Sequence, residues 1–225
     1  MKFFDDKCKK VKWWNRNYFY AGTITVIVVN ILLFAFLGNN FESVVQPDMG
    51  HHWHDGFYFL PTIRAFLNAF SHSDWQHVLL NMLCFSFAGF YLERKMGTFG
   101  LLGFVVVGAY FSAIAVTTND LSVYYHGFSG VLYLSYAFVI VDYIFSFKKD
   151  RKNKTNIILG AIVLVAIYIT MCYSDSLGTF PFTWYPIDLI TNLGHGSSFV
   201  VGIVLALVIQ CSMLIERKCI KDKEK

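Results

Sequence analysis

Six runs of apolar residues, separated by polar segments, divide the chain from end to end. They cover residues 20–37, 78–92, 99–116, 128–147, 157–172 and 199–215, and each is near the roughly 20 residues with which a helix crosses a bilayer. The second and sixth runs reach that length only if the polar residues at their starts, 77–81 and 194–198, are counted inside the helix. Polar side chains at membrane depth must face protein or a water-filled cavity. The pattern predicts an all-α membrane protein with six transmembrane helices.

The basic residues predict how this bundle is oriented. Of the 19 lysines and arginines, all but Arg64 lie in segments 2–16, 94–95, 148–154 and 217–225, which fall on one side of a membrane that is crossed six times. Because loops rich in basic residues stay in the cytoplasm, both termini are expected there. The predicted organisation is a basic leader at 1–19, a membrane domain at 20–215 and a basic tail at 216–225. The first run is too long for a signal peptide, which favours a retained span.

Composition narrows the possible classes of protein. With 56% hydrophobic and 15% charged residues, the chain is too apolar for an ordinary soluble domain. The net charge of +4 is explained by topology, and nucleic-acid binding is not expected. The cysteines have no metal-ligand spacing, and His51, His52 and His54 are interpreted as a polar loop because they fit no standard ligand spacing on a helix. No cofactor or metal is expected.

The long external segment 38–75 is expected to form interfacial helices, and the segment 173–193 could be a lid.

A serine between glycines opens the fourth run. Ser129 follows Gly127 and Phe128 and precedes Gly130. Glycine neighbours leave the hydroxyl uncovered, which suits a nucleophile. Glycine at membrane depth also permits close packing of helices, so this stretch alone supports either interpretation.

Two other helix starts place polar residues at the same depth as that serine. His195, Ser198 and Gly202 are spaced by three and four residues, so they share one helix face, where small residues would let another helix approach. His77 and Asn81 also share a face. These two side chains either bond a neighbouring helix or donate to an oxyanion hole. The histidine at 195 is either a base or a satisfied polar residue.

The remaining polar residues within the runs are expected to be structural. Glu93 is a membrane thickness away from Ser129, so it is interpreted as an anchor of the turn at 93–97. Asp142, near the inner end of its run, is expected to reach the interface by snorkelling. The glycines of the third run are expected to be packing positions: Gly100, Gly103 and Gly108.

These motifs, from residue 64 to residue 202, resemble those of the rhomboid family of intramembrane serine proteases, in the family's order. Residues 127–130 resemble the nucleophile motif, and Tyr133 follows one turn later, where rhomboids often carry a tyrosine that stacks on the catalytic histidine. His195 with Gly202 is similar to the helix that bears the base, although Ser198 replaces the usual glycine.

The first half of the chain carries two further patterns of the same family. Residues 77–81 resemble the oxyanion helix, with His72 ahead of it and the turn at 93–97 behind it. Arg64 lies where rhomboids have a Trp-Arg pair, but Ile63 replaces the tryptophan.

The resemblance implies a six-helix fold and hydrolysis of peptide bonds in or near transmembrane segments of substrate proteins. It implies a Ser129–His195 dyad, since the motifs contain no carboxylate for a triad, with the histidine oriented by Tyr133. His77, Asn81 and the Ser129 amide would stabilise the oxyanion. Gly127 and Gly130 would help to bind and orient the substrate. The other matched positions would be structural: Arg64, His72, Glu93, Gly97, Ser198 and Gly202. The partners implied are the bilayer and transmembrane substrates, and the location is a bacterial cell membrane with the site opening outward.

Two other functions stay open at the level of the sequence. A rhomboid-like protein could bind membrane proteins for quality control without cutting them, although such relatives usually lack the serine or the histidine. A small transporter or channel could line a polar path with Ser129, His77 and His195. The clustering of polar residues in the outer half of the membrane argues against a continuous path.

Overall fold

The computed structural model describes residues 20–45, 63–117, 127–150, 154–171 and 193–223. This part of the chain is helical and contains no strand. Its helices are α1 (Ala21–Val45), α2 (Ile63–Asn68), α3 (Trp75–Thr117), α4 (Ser129–Asp150), α5 (Lys154–Met171) and α6 (Leu193–Lys223). Two of them are interrupted by a glycine in the left-handed region, α1 at Gly38 with φ of 49° and α3 at Gly97 with φ of 78°. The leader at 1–19, His51, His52 and His54, residues 46–62 of the first external segment and nearly all of the segment 173–193 lie outside the described residues.

Within the described ranges, three stretches are long and apolar enough to cross a membrane: Ala21–Gly38, Trp75–Ser112 and Gly194–Glu216. Two shorter apolar helices accompany them, Ser129–Phe145 and Gly160–Ile169. The second and third predicted runs both lie in α3, on either side of the break at Gly97. These apolar helices are those of an integral membrane protein, and the part of the chain that the structure describes is all-helical.

Helix α4 is the centre of the bundle. Every residue from 127 to 139 is buried, and α4 packs most extensively on α6 and then on α3. The other helices carry stripes of large exposed apolar side chains, spaced by three or four residues, as expected for surfaces that face lipid. Examples are Ile24, Val28, Leu32 and Phe36 on α1, Leu79, Leu83, Phe87 and Phe90 on α3, and Ile158, Ile162, Val165 and Ile169 on α5.

Small residues bring α4 and α6 together. A Cβ atom added at Gly202 would collide with the carbonyl oxygen of Leu134 and would lie 2.8 Å from the Cβ of Ala137. Ser198, one turn earlier on the same face, is fully buried. Its hydroxyl has no hydrogen-bond partner among the described residues.

Contrary to expectation, the glycines of the third run do not all pack against another helix. A Cβ at Gly108 would touch Val131 of α4 at 3.4 Å, so this position does pack against another helix. The three atoms nearest to a Cβ at Gly100 all belong to Met96, one turn earlier in the same helix, and at Gly103 no described atom outside the helix's own backbone lies within 4 Å. The expectation of packing was wrong for Gly103, because this position of the helix is exposed on the outside of the bundle.

Glu93 joins α1 to the break in α3. Its carboxylate accepts bonds from the amides of Gly22 and Thr23, both at 2.8 Å, and from the hydroxyl of Thr23 at 2.7 Å. The hydroxyl of Thr98, just beyond Gly97, donates at 2.6 Å. The first amides of a helix lack partners within it, so the carboxylate caps α1 while holding the turn.

Asp142 does not reach the interface by snorkelling. It is 7% exposed, and both of its carboxylate oxygens bind side chains of other helices. Tyr91 donates to Oδ2 at 2.8 Å, Gln210 donates to Oδ1 at 2.8 Å, and Lys95 Nζ lies 3.2 Å from Oδ2. The expectation was wrong because three polar partners satisfy the carboxylate inside the bundle.

Candidate active site

Ser129 is the first residue of α4, and the loop before it is held by the segment that follows α2. Gly127 has φ of 101°, a conformation that side chains rarely adopt. Its amide donates to the carbonyl of Asn68 at 3.2 Å. The next amide, of Phe128, donates to Nε2 of His72 at 3.4 Å. These bonds fix the path of the chain into Ser129, which is 8% exposed.

His72 acts as a bridge within this loop. Its Nδ1 lies 3.3 Å from the carbonyl of Phe70, and its Nε2 accepts from Phe128. One ring nitrogen must donate and the other accept, which is the pattern of a neutral histidine with its proton on Nδ1. The ring of Phe128 is in turn packed edge-on against Phe85, with centroids 4.9 Å apart.

His195 lies against α4 at Tyr133, one turn after the serine. Its ring is stacked on that of Tyr133, with centroids 4.3 Å apart and an angle of 7° between the planes. Tyr133 follows Ser129 by four residues, so both project from the same face of α4. His195 is in the first turn of α6 and is 8% exposed. The stacking therefore brings the imidazole to the face of α4 that carries the serine hydroxyl.

His77 and Asn81 approach the same place from α3. A Cβ at Gly127 would lie 2.8 Å from both Cε1 and Nε2 of His77, and 3.5 Å from Nδ2 of Asn81. Any residue other than glycine would therefore displace the histidine. Asn81 is buried, and its Nδ2 has no hydrogen-bond partner among the described residues. A buried amide donor without a partner is costly, so its position next to the serine loop calls for an explanation.

The start of α3 is fixed by Asp74. Its Oδ1 accepts from the amide of His77 at 2.8 Å, and its Oδ2 accepts from the hydroxyl of Ser73 at 2.9 Å. The bond from the His77 amide holds the pKa of Asp74 below its ordinary value, and the Ser73 hydroxyl adds to this against the opposing effect of partial burial. Ser73 Oγ also lies 3.3 Å from Nδ1 of His77. The cap therefore orients the imidazole that faces Gly127.

The other predicted site residues are distributed around this cluster. Gly130 is buried in the first turn of α4. Gly202 and Ser198 lie in the contact between α4 and α6. Glu93 and Gly97 lie at the opposite end of the first half of α3. Arg64 belongs to the short helix α2, and its side chain lies outside the described residues.

Two contributions to the site could not be found from the sequence. Asn68 is buried, and its carbonyl holds the amide of Gly127. A contact through the backbone leaves no signature in the residue type. The role of His72 as the acceptor for Phe128 was also not predicted. The sequence offered only its position in a motif. Among the described residues, no group of three or more His, Cys, Asp or Glu side chains could hold a metal ion.

A comparison with known protein families gives a match that covers these residues. A family model described as the Rhomboid domain matches residues 61–211, which include every motif discussed above. The chain belongs to the rhomboid family. The family predicted from the motifs is thereby confirmed.

Similar rhomboids include the Rhomboid protease GlpG of Yersinia pestis (strain Pestoides F), 24% identical over 186 residues. That of Serratia proteamaculans (strain 568) is 24% identical over 192 residues. The aligned regions cover 82% and 83% of this chain, but only 61% and 62% of the two relatives. This rhomboid chain thus spans about three fifths of the length of the relatives that it matches.

Proposed function

We propose that this rhomboid is an intramembrane serine protease that cleaves peptide bonds in or near transmembrane segments of other proteins. The observation that carries the proposal is the stacking of His195 on Tyr133, four residues from Ser129 on one face of α4. A nucleophile and a base held on the same face by a rigid ring contact are what acyl transfer requires. The names of the relatives, each a rhomboid protease, support the same activity.

The proposed reaction uses Ser129 and His195 as a dyad. The imidazole accepts the proton of the serine hydroxyl as Oγ attacks the scissile carbonyl, and it then gives that proton to the leaving amine. An acyl-enzyme ester remains on Ser129. Water, deprotonated by the same imidazole, then hydrolyses this ester and restores the hydroxyl. Tyr133 orients the ring by stacking, since no carboxylate takes that role in the proposal.

Asn81, His77 and the amide of Ser129 are the proposed oxyanion donors. The unpartnered Nδ2 of Asn81 supports this role, because a buried donor with nothing to bind is ready for an oxygen that appears only during the reaction. The strain at Gly127 has the same explanation, since only glycine leaves room for the imidazole of His77. Preorganised donors of this kind need no rearrangement when charge develops.

We also propose that the chain crosses the membrane six times. In this arrangement the break at Gly97 separates two spans within α3, and α4 and α5 each provide one more. Both termini are cytoplasmic, following the distribution of basic residues. The serine then lies near the outer face, from which the water for hydrolysis enters. The substrates are transmembrane proteins.

The decisive experiment is cleavage of a reporter transmembrane segment by purified protein in vesicles. Ser129→Ala and His195→Ala are each expected to abolish cleavage. A fluorophosphonate probe is expected to label the wild type and not Ser129→Ala. Ser112→Ala is the matched control, because Ser112 is also a buried membrane serine, and among the described residues its hydroxyl bonds only to the carbonyl of Ala109 in its own helix.

Several results would contradict the proposal. Cleavage retained by Ser129→Ala or by His195→Ala would remove the dyad. A wild-type protein that neither cleaves the reporter nor reacts with the probe would instead favour a binding protein without catalysis. Equal loss of cleavage in Ser112→Ala would show that the assay responds to damage of the membrane domain in general.

A further inference from the structure

A buried polar cluster lies at the ends of the helices opposite Ser129, and it plays no part in the chemistry proposed above. The cluster, called here the Asp142 cluster, consists of Tyr91, Lys95, Asp142 and Gln210. Asp142 is its centre. It receives bonds from Tyr91 and Gln210, both at 2.8 Å, and an ion pair from Lys95 at 3.2 Å. Lys95 also lies over the ring of Tyr91, 5.4 Å from its centroid.

The members of this cluster come from the three helices that carry the proposed site. Tyr91 is on α3, fourteen residues after His77. Asp142 is on α4, thirteen residues after Ser129, and Gln210 is on α6, fifteen residues after His195. With a rise of 1.5 Å per residue, each separation is roughly 20 to 22 Å along its helix. The carboxylate of Asp142 thus joins the three helices, and on each helix the joined residue lies at nearly the same distance from the residue of the proposed site.

The contacts near the site hold these helices at one end, and the Asp142 cluster connects them at the other end. Small residues such as Gly202 let α6 approach α4 closely. A helix face made of small residues sets the distance between two helices, but it resists sliding of one helix along the other only weakly. Hydrogen bonds between helices in a membrane have fixed geometry, and the carboxylate would be left buried and unpaired if a helix shifted. Both oxygens of Asp142 are occupied, one by α6 and the other by α3. A shift of either helix would therefore break a bond.

We infer that Asp142 is a positioning residue, which holds α3 and α6 in register with α4 and so aligns Asn81 and His195 with Ser129. The inference rests on the proposed protease function. Displacing a catalytic group by about 1 Å can cost about a hundredfold in rate. Loosening the cluster should therefore lower kcat while leaving KM, which reports substrate binding, nearly unchanged.

The variants for the test remove the connections one at a time. Tyr91→Phe removes the hydroxyl and keeps the ring, and Gln210→Leu removes the amide. Asp142→Leu removes both connections, whereas Asp142→Asn keeps a side chain that can accept from Tyr91 and donate to a flipped Gln210 amide. The control is Ser135→Ala. Ser135 is fully buried on α4, between Ser129 and the Asp142 cluster, and its hydroxyl bonds, within the described part of the chain, only to the carbonyl of Val131 in its own helix.

Two measurements are made on each variant in vesicles. The first is reporter cleavage, with kcat and KM determined separately. We expect Asp142→Leu to lower kcat more than tenfold, Tyr91→Phe and Gln210→Leu to lower it three- to tenfold, and KM to change less than twofold. Asp142→Asn should stay within about threefold of wild type, and Ser135→Ala should match it. A purely structural role would reduce the amount of folded protein and leave the kcat of the folded fraction unchanged.

The second measurement does not depend on activity. Spin labels are attached through Leu79→Cys on α3 and Val200→Cys on α6, both exposed positions near the site, in a protein whose native cysteines are replaced. Asp142→Leu should broaden or shift the distance distribution, and Ser135→Ala should leave it unchanged. If Asp142→Leu does not fold, Tyr91→Phe and Gln210→Leu are measured in its place.

The two proposals fail in different ways. An inactive wild type with a distance distribution that changes in Asp142→Leu would overturn the protease function and support the positioning role. A wild-type kcat and an unchanged distance distribution in folded variants of the cluster would overturn the positioning role, whatever the activity. A loss of kcat in Ser135→Ala equal to that in Asp142→Leu would overturn it as well.

Discussion

The contact between α4 and α6 predicts that Gly202→Ala damages the protein out of proportion to its size. The added methyl group would collide with the carbonyl oxygen of Leu134 and lie 2.8 Å from the Cβ of Ala137 and 3.0 Å from the carbonyl carbon of Leu134. Nonbonded carbon atoms prefer separations of about 3.5–4.0 Å, so the helices must separate by about 1 Å. The obstructing atoms belong to the backbone or to a Cβ, so no side chain can rotate away.

The expected magnitudes follow from that displacement. Overpacking a close contact costs about 1–3 kcal/mol in the free energy of unfolding. Misplacing His195, seven residues earlier on the same face, by about 1 Å can cost about a hundredfold in kcat. Gly202→Ala should therefore fold with a lowered unfolding temperature and should cleave a reporter segment at least tenfold more slowly. Thermal unfolding in detergent and reporter cleavage in vesicles measure the two effects.

The matched control is Gly103→Ala, which adds the same methyl group to a helical glycine of the membrane domain. No described atom lies within 4 Å of the new Cβ there, so stability and cleavage should equal those of the wild type. The reasoning is refuted if Gly202→Ala and Gly103→Ala have the same unfolding temperature and the same rate of cleavage.

Four further predictions concern single side chains. Asn81→Ala should reduce kcat by about a hundredfold or more, since one oxyanion donor is worth about 3 kcal/mol; an unchanged kcat would remove Asn81 from the site. Glu93→Gln should lower the unfolding temperature, because each buried donor that loses its acceptor costs about 1–3 kcal/mol; the exposed Asp222→Asn on α6 is the control and should have no effect. Ser198→Ala should raise the unfolding temperature, because it removes a buried hydroxyl without a partner among the described residues; a lower temperature would show that the hydroxyl is satisfied. The pKa of Asp74 is lowered in the folded protein, so its cap stabilises α3 above the ordinary value of 3.8 and is lost as the pH falls through the lowered value. Asp74→Asn should therefore flatten the dependence of the unfolding temperature on pH in this acid range, and an unchanged pH profile would contradict the assignment.

The positions of the helices and the chemistry at their starts could be read from the sequence. Apolar runs define helices because the bilayer requires backbone groups to be satisfied internally, and polar residues inside the ends of such runs are rare enough to be informative. Ser129, His195 and His77 were selected on that ground, and the structure brings their helices together. The stacking of Tyr133 on His195 has the geometry that the motif implied, and the catalytic roles of these residues stay predictions. The contact of Gly127 with His77 was not predicted.

The sequence did not indicate which faces of the helices pack against each other. In a soluble protein the buried face is apolar and the exposed face polar, but in a membrane both faces are apolar. The sequence therefore gave no reason to distinguish Gly108, which packs on α4, from Gly103, which does not. The prediction for Asp142 was wrong for a related reason. Its partners are distant in the sequence, and nothing in the residues near it indicates that Tyr91 and Gln210 would reach it.

The burial of residues 127–139 at the start of α4 has a consequence for where a membrane protein can hold reactive groups. Hydropathy describes the transfer of a residue from water into lipid, but a segment covered by neighbouring helices is surrounded by protein instead. Hydroxyl groups on that segment, such as those of Ser129, Ser135 and Tyr136, are thus spared exposure to hydrocarbon. The helices packed around α4 therefore provide the surroundings in which a membrane protein can carry buried polar side chains.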